Sequence, residues 1–411
     1  MIEIKNAYEK KGRINGFESQ LRAVDEIIKN VTERGDEALF AYAKQFDKTD
    51  INKHNIRVSD NEINDAYNSV APELLKTLIN CKTNILKYHE RQVKNDDFDG
   101  KTGWKFVPVR RAGLYVPGGL AAYPSSVLMC ALPAVAAGVG DISIATPNVK
   151  NPLILAAAKI CGINKIYKIG GAHAVAALAY GTESVERVDV IAGPGNIYVT
   201  LAKKRVFGDV GIDMLAGPSE ITILADETSK ARYLIADLIS QAEHGPLGAS
   251  ILVTTSRELA ESVKVGLFEA AEAAERKDII LESLGANCQI ISVKSIKKAV
   301  AVINEIAPEH LEICASNAYE ISKEIYNAGA IFLGQNTPVA VGDYYAGPSH
   351  VLPTNGNARF SSVLSVDTFL KRTSLIGYNK EELSAGAEDI IKMAETEGFD
   401  AHADSVKIRL K

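Results

Sequence analysis

The sequence predicts an α/β protein built on two parallel sheets, with helical extensions at its N- and C-terminal ends. Three observations carry that expectation. From about Arg110 onward, short apolar runs of strand length alternate with helical stretches of about ten residues, the pattern of βαβ units on a buried sheet. At 411 residues the chain exceeds the roughly 250–300 beyond which one hydrophobic core usually stops growing, so more than one domain is expected. Hydrophobic residues at 46% and charged residues at 24% describe a globular protein, unlike a disordered or membrane chain.

In chain order, FESQLRAVDEIIKNVTER (17–34) repeats apolar residues at helical spacing and stops at Gly35, a C-terminal signal. Residues 60–92 read as further helix, with Ser59 and Asp60 as capping candidates. KFVPVRRAGLYVPGG then turns β-prone and leads into Gly118-Gly119, followed by a small-residue helix, SSVLMCALPAVAAG. Strands DISIAT (141–146), KIYKIGG (165–171) and VDVIAG (188–193) alternate with helices PLILAAAKICG, AHAVAALAYG and NIYVTLAKKRVFG. A second set runs ITILA, KARYLIADLISQAEH, SILVTT, an Ala/Glu-rich helix to about Lys277, CQIISV, a further helix, LEICA and AIFLG. From about Ser365 the tail reads as amphipathic helix, an arm suited to packing on another surface such as a second subunit.

A net charge of -5 and a pI near 5.9 leave no basic footprint for nucleic acid, and Lys203, Lys204 and Arg205 read as a solvated helix face. MIEIKNAYEK has no apolar signal core, and no stretch approaches the roughly 20 apolar residues of a membrane span, so a cytoplasmic protein is expected. Cys81, Cys130, Cys161, Cys288 and Cys314 are widely spaced in mostly apolar surroundings. They read as buried reduced thiols, with no polar cluster to make one a low-pKa nucleophile.

The histidines point to a site. His54 and His89 lie in the polar helical opening and are expected to be solvated, while the other five sit in GGAHA, QAEHG, PEHLE, GDYYAGPSH and DAHAD. In QAEHG, Gln241 and His244 share a helix face and could ligate one metal; the same residues before Gly245 and Pro246 also suit a plain helix end. Asp343 and His350 fall in a Gly/Pro-dense loop, and His402 is flanked by Asp400 and Asp404. A carboxylate and imidazoles from separated segments suit zinc, and no Cys among them suggests a thiolate structural site. IAPEHLEI (306–313) sets Glu309 and His310 between apolar runs, where dehydrating both needs a capping or a chemical reason. No GxGxxG follows a predicted strand; PGG, IGGAH and AGPGN stand at strand-to-helix junctions, compatible with phosphate approach or with tight packing.

Taken together, IDMLAGPSE, SQAEHG, APEHLE, GDYYAGPSHVLPT, GPGN and EGFDAH resemble the histidinol dehydrogenases, from about Arg110 to the C-terminus with a compatible helical start. The resemblance implies two incomplete Rossmann-like domains: 19–113 plus 219–364, and 114–218. An N-terminal arm (1–18) and a C-terminal helical arm (365–411) reaching a partner subunit complete the chain. It implies oxidation of L-histidinol to L-histidine in two NAD-dependent steps through an aldehyde, the last step of histidine biosynthesis, with one zinc per site in a homodimer. By matching motif, Gln241, His244 and Asp343 of one chain and His402 of the partner subunit would hold the zinc, whose shell the substrate imidazole and amine complete. Ser219, His350 and Glu397 would lie near the substrate, and Tyr115, His173 and Asn196 at the NAD contacts. His310 would take the hydroxyl proton and Glu309 would activate the water that hydrates the aldehyde. One departure stands out: the family usually has Gln where this chain has His173, and an imidazole cannot reproduce an amide's donor and acceptor geometry.

Rival readings are a related zinc- and NAD-dependent dehydrogenase of another polar alcohol, a zinc hydrolase, and a non-catalytic nucleotide-binding protein. Substrate-contact residues separate the first, and NAD binding separates the others.

Overall fold

The computed structural model describes residues 2–9, 17–118 and 122–411. The chain divides into two compact units, Met1–Val93 with Val109–Phe369, and Lys94–Pro108 with Leu370–Lys411.

The first unit carries two parallel sheets with helices against them, as the alternating pattern predicts. One sheet has six strands in the order Ile4–Lys5, Gln289–Ser292, Ala249–Thr254, Glu220–Ala225, His310–Cys314 and Ala330–Leu333. The other has five, ordered Lys165–Tyr167, Asp141–Ala145, Arg111–Tyr115, Val190–Ala192 and Gly211–Ile212. Central strands bury both faces, which is why ITILA and SILVTT are continuous apolar runs instead of alternating ones. Around the five-stranded sheet, close packing uses small side chains: Ala174, Ala176, Ala177 and Ala179 of the helix Gly171–Tyr180 are all buried in one cluster with Val24, Ile27 and Val31.

Several local expectations need correction. The stretch 60–92 is two helices, Asp60–Ser69 and Pro72–Glu90, because Pro72 drives Ala71 to extended backbone (ψ 137). Ser59 and Glu62 form a reciprocal capping box at the first. The Ala/Glu-rich helix ends at Ala273, and a separate helix spans Lys277–Asn287. Lys203 is not solvated: it is 2% exposed, donates to the Gly193 carbonyl at 2.9 Å and pairs with Asp213, leaving Lys204 and Arg205 as the exposed part of the run. His89 is fully buried and bonds to Gln92, whereas His54 is exposed as expected. Cys81, Cys130, Cys161 and Cys314 are buried thiols. Gly119 of the PGG motif, and residues 10–16 of the expected N-terminal arm, lie outside the described residues.

The second unit begins with a correction as well. The tail is not helical from Ser365. Leu370–Ile376 is a strand, antiparallel to Thr102–Pro108 from Leu370 opposite Pro108 to Ile376 opposite Thr102, with Asp97–Phe98 on the far edge. Helices Lys380–Thr396 and Asp400–Leu410 follow, the first opened by an Asn379–Glu382 capping box. They turn at Gly398, whose φ of 78° favours glycine. Lys407 reaches back to Glu395 at 2.8 Å. Among the described residues no helix is long and apolar enough to cross a membrane.

Candidate active site

The helix Ile296–Ile306 buries Ala299, Val300, Val302, Ile303 and Ile306, and ends where Ala307 adopts left-handed backbone (φ 54). For a residue with a Cβ that conformation costs about 1–2 kcal/mol, so the surroundings must hold it. Ala307 is completely buried and its N–H bonds to the Ile303 carbonyl at 2.8 Å. Pro308 forbids another helical turn, and the strand His310–Cys314 starts at once. Glu309 and His310 thus stand at the amino end of a central strand, opposite the edge at which open α/β sheets usually bind ligands.

The backbone of one residue orients both. The Glu220 N–H donates to Glu309 Oε2 at 2.8 Å, and the Glu220 carbonyl accepts from His310 Nδ1 at 3.0 Å. The Ser219 side chain stands close enough to Glu309 to favour its ionised form slightly. Because a carbonyl only accepts, Nδ1 must carry the imidazole proton, which leaves the lone pair on Nε2. That atom is buried with no hydrogen-bond partner among the described residues, and Asp343 Oδ1 stands 3.8 Å away, too far for a bond. His350 repeats the device: Nδ1 donates to the Asp343 carbonyl at 3.1 Å, and Nε2 faces the Ser126 hydroxyl at 3.2 Å.

Burial sets the charges. It pushes His310 down to about 4 against the opposing bond to the Glu220 carbonyl, with His244 and His350 adding to the fall. His350 is likewise pushed down to about 4, first by burial. Burial holds the Glu309 carboxyl well above its ordinary range although the Glu220 amide opposes it, and raises Asp343 to about 7. Imidazole and carboxyl are therefore driven in opposite directions, the arrangement that separates a neutral base from a carboxyl able to cycle its proton near neutrality.

The structure gathers Ser219, Glu309, His310, Asp343 and His350, with His244 close enough to act on both other imidazoles. Gln241 lies in the last turn of the helix Ala231–Ala242, with His244 just beyond its end; Gln241 is 2% exposed, with one amide atom buried and unpartnered among the described residues. Since amide O and N are assigned by partner, that atom suits an oxygen aimed at a cation. Gln O, His N and a desolvated carboxylate are donors that zinc accepts, so these residues fit the metal. Among the described residues no group of three or more His, Cys, Asp or Glu forms a metal cluster within the chain. Glu397 and His402 belong to the second unit, where both are exposed.

On the five-stranded sheet, Tyr115 ends the strand Arg111–Tyr115, beside the switch to Val190–Ala192, while His173 and Asn196 lie at the starts of the helices that follow Lys165–Tyr167 and Val190–Ala192. Gly193 is required there: its φ is 121° and a Cβ would lie 2.1 Å from the Tyr115 carbonyl oxygen. Asn196 is exposed and caps the helix Ile197–Val206. Tyr115 and His173 are buried; the Tyr115 hydroxyl accepts from the Gly171 N–H at 3.0 Å, and His173 Nε2 bonds to Asp47 Oδ2 at 2.9 Å. Asp47 also takes the Gly170 N–H at 2.9 Å, so its carboxylate and the Tyr115 hydroxyl occupy the amides of the IGGAH turn. Glu220, Ser126 and Asp47 escaped the sequence reading.

The histidinol dehydrogenase family model matches residues 11–410. A histidinol dehydrogenase of Clostridium acetobutylicum is 48% identical over 98% of this chain and 95% of its own length. One from Caldanaerobacter subterraneus is 49% identical over 99% of this chain and 96% of its own. The crystal structure of histidinol dehydrogenase from Elizabethkingia anophelis covers 99% of this chain and 94% of that one, with 36% identity and a TM-score of 0.90. An acetylating aldehyde dehydrogenase from Geobacillus thermoglucosidasius shares the fold alone, at 13% identity and a TM-score of 0.51.

Proposed function

The chain belongs to the histidinol dehydrogenase family, and on that premise we propose how its residues divide the oxidation of L-histidinol. It is an NAD-dependent oxidoreductase of histidine biosynthesis, taking L-histidinol to L-histidine. The observation that carries the division of labour is the Glu220 backbone, which fixes Glu309 with its N–H and His310 with its carbonyl while burial drives their proton affinities apart.

His310 presents an Nε2 lone pair, unpartnered among the described residues, to the substrate and takes the hydroxyl proton in the first oxidation. Glu309, anchored at Oε2, takes a proton from the water that hydrates the aldehyde before the second oxidation. NAD, when bound, accepts the electrons of each step. Asn196 contacts it directly, and Tyr115 and His173 act there through the Gly170–Gly171 turn they brace. Gln241, His244 and Asp343, with His402 of the partner subunit, would hold the zinc, which would supply a Lewis-acidic centre for orienting the substrate. Ser219, His350 and the partner subunit's Glu397 complete the substrate pocket of a cytoplasmic homodimer. We place the domains at 19–113 with 219–364 and at 114–218, with arms 1–18 and 365–411.

With alcohol limiting and NAD in excess, the expected yield is two NADH per L-histidinol, abolished by a chelator and restored by zinc. One NADH would remove Glu309 from the second oxidation, and chelator-insensitive turnover would remove the metal. A smaller effect is expected at His173. In His173→Gln an amide N–H can still donate to Asp47, so the Kd for NAD should change by less than about tenfold, the worth of one net hydrogen bond, with turnover retained. A larger change by calorimetry would place His173 in direct contact with the dinucleotide.

A further inference from the structure

We infer that Glu312 and Asp237 share one proton, and that this carboxyl–carboxylate hydrogen bond is a positioning contact joining the strand of His310 to the helix that carries Gln241 and leads into His244. Strand side chains alternate faces, so Glu312 points to the same side as His310, as does Cys314, which packs with Leu234, Leu238 and Val339. Glu312 is 1% exposed. Its Oε1 accepts the Val339 N–H at 2.9 Å, at the start of the short helix Val339–Tyr344 that carries Asp343. Its Oε2 is buried with no N–H or O–H donor among the described residues, and the half-buried Asp237 carboxyl is the ionisable neighbour of this side chain. Asp237 sits one turn before Gln241.

Two ionised carboxylates would repel and leave the buried Oε2 of Glu312 without a donor, whereas a proton on Glu312 lets it donate to the half-buried Asp237 carboxylate. Burial and the neighbouring charge point the same way, raising Glu312 to about 9, and burial also raises Asp237. A protonated Glu312 therefore ties together three elements: the strand that begins at His310, the helix that carries Gln241 and leads into His244, and the short helix that carries Asp343. This role rests on the zinc reading above; the shared proton does not.

Two measurements separate them. Infrared difference spectra of the holoenzyme against Glu312→Gln should show a carboxylic-acid carbonyl band at neutral pH, shifted in Asp237→Asn; without such a band the shared proton is wrong, whatever metal is bound. Chelator competition should then give a zinc affinity nearly unchanged in Glu312→Gln, whose amide can still bridge Val339 and Asp237. The affinity should fall about 10- to 100-fold in Glu312→Leu, the usual loss when an outer-shell partner is removed. Leu234→Ala, a cavity in the same cluster, should leave zinc affinity intact although it lowers Tm, and if Glu312→Leu does not fold, Asp237→Leu against Asp237→Asn makes the same comparison. Equal losses in the Gln and Leu variants, or a loss in Leu234→Ala as large, would overturn the positioning role. A parent protein that binds no zinc, with the infrared band present, would instead overturn the zinc reading and the zinc-positioning role built on it.

Discussion

His310→Asn is expected to slow oxidation of the alcohol by about 10²- to 10⁴-fold, the range for loss of a positioned general base. The shorter amide can still donate to the Glu220 carbonyl, which Nδ1 of His310 now reaches at 3.0 Å, so the loss falls on the lone pair at Nε2 more than on the fold. Rapid-mixing measurement of the first NADH formed isolates this step from aldehyde oxidation. Since burial holds His310 at about 4, its imidazole is already neutral through the physiological range, and the first step should show no titration limb from this group near neutrality. Near-normal first turnover in His310→Asn would take the base role away from it.

The parallel sheets were legible because their strands are continuous apolar runs between helices of matching length, a local signal. The antiparallel ribbon was not. Leu370–Ile376 pairs with Thr102–Pro108 across more than half the chain, and an exposed strand such as LKRTSLI lacks the apolar face that would mark it. His89 illustrates a signal present and misread: with Leu78, Cys81 and Ile85 it completes the buried stripe of one helix, so its position outweighed its polarity. Lys203 shows the reverse, since nothing local announces that Asp213 and the Gly193 carbonyl will receive its charge.

At the site, Glu309 and His310 were visible as polar residues that interrupt a core sequence. Glu220 was not, because its part is played by its own peptide N–H and carbonyl, which every residue but proline possesses. Likewise the Ala307 turn that delivers the pair is left-handed without a glycine to advertise it.

Glu309→Gln should impair aldehyde oxidation by about 10²- to 10⁴-fold while leaving the alcohol step within a few-fold of the parent. The amide oxygen can still accept the Glu220 N–H that now bonds Oε2 at 2.8 Å, so the side chain keeps its anchor, but it can no longer take a proton from water. The pH dependence follows from direction alone. Burial raises Glu309 well above its usual range, so its ionised, proton-accepting fraction grows as pH rises toward and through that raised value. Aldehyde oxidation should therefore climb with pH in the parent, where alcohol oxidation, relying on an imidazole depressed to about 4, stays flat. In Glu309→Gln the climb should vanish. Supplying the alcohol and the aldehyde separately, across a pH series, reads both effects in one experiment. Equal impairment of the two substrates, or a surviving pH limb in the variant, would mean that Glu309 holds the strand and its neighbour in place, and that another group activates the water.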